Sequence, residues 1–160
     1  MGVAGSGKTT IGRMLADAIP CPFLEGDSLH SRANVEKMSH GIPLTDADRT
    51  PWLRAIHARM VDVYTRGHSL VVGCSALKQS YRTILAEGLP VRWVYLKGSP
   101  ELIRSRMLHR ASHFMKVDML ASQFGALEEP SDAFVVDVSE SPDAIVERIV
   151  SELGRPSRLL

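Results

Sequence analysis

Eight residues near the start of the chain, Gly2 to Thr9 within MGVAGSGKTT, read G-x-x-x-x-G-K-T, and each type in that spacing has a task in holding phosphate. Gly2, Gly5 and Gly7 let the backbone curl so that its N–H groups point at phosphate oxygens, and the helix that follows adds its positive dipole end. Lys8 would reach the β- and γ-phosphates, and Thr9 would offer its hydroxyl to Mg²⁺. The competing reading of the same letters is a glycine-rich turn that caps a helix and binds nothing. Two rival nucleotide readings fail on the residues. Thr10 stands where a dinucleotide fingerprint needs its third glycine. The chain has no D-x-x-G, and its only asparagine, Asn34, is followed by valine, so a guanine reader is missing. A kinase fits better than a signalling switch.

Further along, residue types suited to an acceptor follow the apolar runs. In EGDSLH, Asp27 sits where the C-terminal end of a parallel strand opens onto a site. Its carboxylate would accept a hydroxyl proton or hold a Mg²⁺ water; the alternative is a cap for the next helix. Glu25, two residues earlier, would share the metal role or face the sheet. His30 and Lys37 fall on what reads as one helix. The run ending GCSALKQSYR has no acid at its tip, which leaves the metal-side chemistry to Asp27. Lys78 and Arg82, four apart, share a helix face and with Arg49 would clamp an anionic group, or simply form a solvated basic face. Arg104, Arg106 and Arg110 lie on a helix from Pro100 to Arg110. From there arginines would fold over a nucleotide and neutralise developing charge, with His113 and Phe114 beyond, where a lid would close. Cys74 reads as a small buried side chain, because phosphoryl transfer needs no thiol.

These groups need a scaffold. At 160 residues and 44% hydrophobic positions the chain has the size of one domain, residues 1–160. Short apolar runs at 21–25, 69–74, 91–96 and 133–138, with the MGV stub, predict five parallel strands alternating with helices, a sheet covered on both faces. Thr50 as N-cap, Pro51 at the first helical position and Gly67 as stop predict a helix with Leu53, Ile56, Met60 and Tyr64 on one face. Ser141, Pro142 and Gly154 predict another at the end. Residues 30–48, polar and carrying Gly41 and Pro43, read as a substrate-binding insertion or lid. Nineteen Lys and Arg against eighteen Asp and Glu leave a net charge of +1, so no global field draws nucleic acid or an acidic membrane. Two distant cysteines suit a reducing cytosol, and no apolar run reaches the roughly 20 residues of a membrane span.

The segments GVAGSGKTT, GDSLHSRANVEKMSHGIPLTDADRTPWL, CSALKQSYR, VYLKG, RASHFM and LASQFGALEEP together resemble, in order and spacing, the gluconate kinases among the P-loop small-molecule kinases. The resemblance spans nearly the whole chain. It implies a nucleoside-monophosphate-kinase-like fold and Mg²⁺-dependent transfer of the ATP γ-phosphoryl group to the 6-hydroxyl of D-gluconate by a homodimer. It further implies that Gly5, Ser6, Gly7, Lys8, Thr9 and Thr10 bind ATP phosphates and that Asp27 and His30 line the acceptor pocket. Lys37, Arg49, Lys78, Arg82 and His113 would then contact gluconate, and Arg106 and Arg110 would belong to a lid over 106–125. Ser31 stands where the family usually shows proline and Ser112 where it shows glycine. Family members also carry an apolar strand ahead of the loop. Here only Met1 to Val3 remain, so the first strand is expected to be truncated, as a start assigned one methionine late would make it. Two other readings stay open: a kinase of this fold for another acceptor such as shikimate, and a nucleotide-binding protein without turnover.

Overall fold

The structure, a computed structural model, describes residues 1–109 and 120–154. Four of the five expected strands form. β1 (Phe23–Glu25) pairs in parallel with β2 (Val71–Gly73), Phe23 opposite Val71, and β3 (Val94–Lys97) pairs in parallel with β4 (Phe134–Asp137), Val94 opposite Phe134. Between the two pairs runs Met1–Val3. The Met1 amino group donates to Val94 O (2.6 Å) and Met1 O accepts from Leu96 N, while Gly2 N donates to Ser75 O on the other side. A Cβ on Gly2 would stand 2.8 Å from Leu96 O, so only glycine lets the stub lie this close to β3.

Seven helices pack around these strands among the described residues: α1 (Lys8–Ala18), α2 (Arg32–Ser39), α3 (Asp46–Thr65), α4 (Gln79–Ala86), α5 (Pro100–Leu108), α6 (Leu120–Ala126) and α7 (Pro142–Leu153). A 3₁₀ turn, Gly26–Leu29, follows β1. The interior divides into two apolar cores. One joins Val3, Ile11 and Leu15 to Leu96, Ile103, Met107, Val136, Ile145 and Ile149. The other gathers Trp52, Leu53 and Ile56 of α3 with Cys74, Ala76, Tyr81 and Leu85.

The last helix forms as its sequence predicts, with the Ser141 hydroxyl accepting Ala144 N–H, Pro142 at the first position and Gly154 at the end. α3 begins earlier than expected. Thr45, not Thr50, is its N-cap, in a reciprocal capping box with Asp48, and Pro51 lies inside the helix. Thr50 instead turns its hydroxyl back to Asp46 O (2.9 Å). Tyr64, expected on the buried face, is exposed. α5 stops at Leu108, with His109 as C-cap, and Arg110 lies outside the described residues. Ser31 caps α2 by accepting Asn34 N–H (3.2 Å), which gives this residue a use that proline lacks. Asp27 is therefore not the cap of that helix, and His30 precedes it rather than sharing it with Lys37.

Candidate active site

The turn from Gly2 into α1 carries its glycines where the backbone needs left-handed φ: +79° at Gly5 and +95° at Gly7. Gly7 is the N-cap of α1 and supplies no side-chain cap, so the helix's first N–H groups keep their donor capacity at the mouth of a cavity. Lys8 lies across this turn, its Nζ donating to Val3 O (2.9 Å) and Gly2 O (3.1 Å). Burial lowers the Lys8 pKa from the ordinary lysine value, and the nearby Asp27 carboxylate opposes that shift. The Thr9 hydroxyl donates to Glu25 Oε2 (2.5 Å) at the end of β1.

The cavity brings Lys8, Thr9 and Thr10 together with Asp27, His30, Arg49, Trp52, Ser75 and Gln123. Trp52 organises its far wall. Its indole N–H, deep in the second core, donates to Gly26 O (2.8 Å), and its ring stacks on His30 with centroids 4.1 Å apart. One α3 side chain thus holds both ends of the short turn that carries Asp27. Burial, reinforced by Arg49, lowers the His30 pKa against the pull of Asp27, so the imidazole is neutral at pH 7. Its Nδ1 is buried and has no hydrogen-bond partner among the described residues. Arg49 is braced from behind: its Nη1 donates to Leu44 O (2.6 Å) and to Tyr81 Oη (3.4 Å), and Tyr81 in turn donates to Asp46.

The other expected acceptor cations stand elsewhere. Lys37 pairs with Asp48 (2.7 Å), and this hydrogen bond, with those from Thr45, lowers the Asp48 pKa to about 2. Lys78 is the N-cap residue of α4 and bridges both Asp46 oxygens at 2.9 Å. Arg82 is buried, donating to Ala76 O, Leu77 O and Gln79 Oε1, so it does not form a clamp with Lys78. Arg110 and His113 lie outside the described residues. Trp52, Ser75 and Gln123 were not singled out from the sequence. Trp52 had a signal in the apolar face of α3; Gln123 had none, being 119 residues from the loop it touches. Cys74 is buried, and burial pushes its thiol up to about 12, as suits an inert core residue.

A second cavity opens on the opposite flank of the loop, lined by Gly5, Gly7 and Thr10, by Ser105, Arg106 and His109 of the α5 end, and by Val138 and Glu140. Arg106 crosses it to donate to Val138 O (2.5 Å). Among the described residues no group of three or more His, Cys, Asp or Glu side chains forms a ready metal site. Thr9 and Glu25 do offer adjoining hydroxyl and carboxylate oxygens, the donor set Mg²⁺ prefers when phosphate and water complete its shell.

A left-handed glycine turn feeding an uncapped helix, a lysine across it and cavities on both flanks define a P-loop kinase domain. A protein-family profile described as an AAA domain matches residues 1–130. The thermoresistant gluconokinase of Escherichia coli K12 is 45% identical over 161 residues, covering 97% of this chain and 91% of that one. Among solved structures, a gluconokinase from Sinorhizobium meliloti 1021 superposes with a TM-score of 0.87 at 44% identity, covering 97% of this chain and 89% of that one. An unliganded sugar kinase from Janibacter sp. HTCC2649 superposes at 0.90 with 44% identity, covering 96% and 91%. The chain belongs to the gluconokinase family.

Proposed function

We propose that this protein transfers the γ-phosphoryl group of ATP to the 6-hydroxyl of D-gluconate, giving 6-phospho-D-gluconate. The observation that carries the reading is one cavity in which Lys8 and the α1 N-terminus face Asp27, His30 and Arg49; relatives about 44–45% identical over nearly the whole chain include gluconokinases. Gly2, Gly5, Ser6, Gly7, Lys8, Thr9 and Thr10 cradle the phosphates. Arg106, at the wall of the second cavity, serves the nucleoside side. Thr9, with Glu25 beside it, would hold Mg²⁺, which when bound neutralises phosphate charge. Asp27 orients the hydroxyl and accepts its proton. The buried, partnerless Nδ1 of His30 suits a polyol hydroxyl, and Arg49 suits the sugar-acid carboxylate.

Lys37, Lys78 and Arg82 support this wall through Asp48, Asp46 and backbone carbonyls; within the lid over 106–125, Arg110 would act in catalysis and His113 would contact gluconate. The chain acts as one domain, residues 1–160, with 30–48 as its acceptor segment. The Met1–Val3 bridge, bonded on both sides, is the place of the fifth strand of a parallel sheet with helices on both faces. No described helix is long and apolar enough to cross a membrane. A cytoplasmic homodimer is part of the proposal, and light scattering of the purified chain tests the dimer. ADP release from Mg-ATP with gluconate, and none with glucose or shikimate, tests the activity. Nucleotide binding without gluconate-dependent release would overturn it.

A further inference from the structure

The segment LASQFGALEEP has been given no step in the chemistry above beyond Gln123 at the cavity wall, yet it touches three separate parts of the fold. Gln123, on α6, accepts the Ala4 N–H through Oε1 at 2.7 Å. Its helix is seated by Leu120, buried in the first core, and by Phe124 packed against that core. Just beyond, Glu128 N–H donates to Leu77 O (2.9 Å), and the Glu128 carboxylate accepts Gln79 N–H (2.6 Å) at the start of α4. Glu129 then takes Lys97 at the end of β3 (2.8 Å). One short stretch therefore ties the phosphate turn, the loop bearing Ser75 and Lys78, and the tip of β3 to one another.

We propose that Gln123 is a positioning residue for phosphoryl transfer: it sets the phosphate loop from the acceptor side, on a helix anchored by Glu128 and Glu129. Glycines with left-handed backbone at Gly5 and Gly7 leave the turn few side chains of its own to fix it, and its N–H directions are what phosphate reads. Among the described residues, Gln123 is the side chain from outside the turn that accepts one of these N–H groups, and it also borders the cavity shared by Lys8, Asp27 and Arg49. Satisfying a buried donor would be a structural role. Placement beside the reacting groups makes the same bond govern loop geometry.

The assignment rests on the phosphotransfer reading, so the test begins with wild-type ADP release in the presence of gluconate; its absence counts against that reading, not against Gln123. Given activity, Gln123→Met keeps the length and volume of the side chain and removes the acceptor. We expect kcat/KM for ATP to fall about tenfold, with KM for gluconate at saturating ATP within about twofold of wild type. Gln123→Asn, too short to reach Ala4, should behave alike. Melting temperatures should stay within roughly 4 °C of wild type. Wild-type kinetics in both variants overturn the proposal, as does a loss confined to gluconate, or one that vanishes when activity is expressed per folded molecule.

Discussion

Replacing Trp52 by Phe separates the acceptor wall from the phosphate turn. The indole is 3% exposed, donates to the buried Gly26 carbonyl and stacks on His30. Phenylalanine keeps a ring for the stack but vacates roughly 40 Å³, which at about 24 cal/mol per Å³ costs about 1 kcal/mol. The Gly26 carbonyl, deprived of its donor away from water, adds about 1–2 kcal/mol. The sum, about 2–3 kcal/mol, corresponds to a fall of roughly 5–10 °C in melting temperature for a domain of this size. Urea unfolding followed by far-UV circular dichroism reads it directly, with the slope unchanged. Because Asp27 and His30 stand on the turn that Trp52 holds, kcat/KM for gluconate should also drop by about tenfold or more, while ATP affinity, set on the other side of Lys8, holds. A variant that melts early but handles gluconate as wild type does would refute the positioning argument. Equal losses toward ATP and gluconate would refute the separation of the two sides.

Asp27→Asn should bind ATP as wild type does and lose about 10²–10⁴-fold in kcat, seen by comparing nucleotide titration with coupled ADP assay. Arg106→Ala should raise KM for ATP by about tenfold without moving KM for gluconate, since Arg106 spans only the second cavity. Asp48 supplies a pH signature. Its folded pKa, about 2, is depressed below the ordinary 3.8, so its contribution is fully present above about pH 4 and is lost as pH falls through 2. Melting temperatures of wild type and Asp48→Asn should differ by a constant amount from pH 5 to 7, and the gap should narrow as pH falls toward 2; a gap as wide at pH 2 as at pH 7 would contradict the Lys37 and Thr45 partnership.

Strand positions and the final helix were legible because each rests on local chemistry: apolar β-rich runs of five or six residues, and a Ser-Pro start with a glycine stop. The start of α3 was misread because Pro51 is as good a first-turn residue in letters as in space, and it drew the boundary forward past the T-x-x-D box at Thr45, whose own signal was present. Glycine spacing and a strand end announce the phosphate turn and Asp27, and the structure brings them to one cavity with His30 and Arg49, which the family resemblance names. Spacing misled for Lys78 and Arg82. Four residues apart implies a shared face only inside a helix, whereas Lys78 is the residue before α4 and answers to Asp46, 32 positions away. Pairings of that span, like Gln123 with Ala4, leave no trace in periodicity.

The division of the interior into two cores bears on how such a protein can diverge. Arg106's cavity and the helices α1, α5 and α7 rest on one core, while the Asp27 turn and Arg49 lean on the Trp52 cluster of the other. On the proposed assignment, substitutions confined to the second cluster would reshape the acceptor end while the nucleotide end keeps the core it rests on.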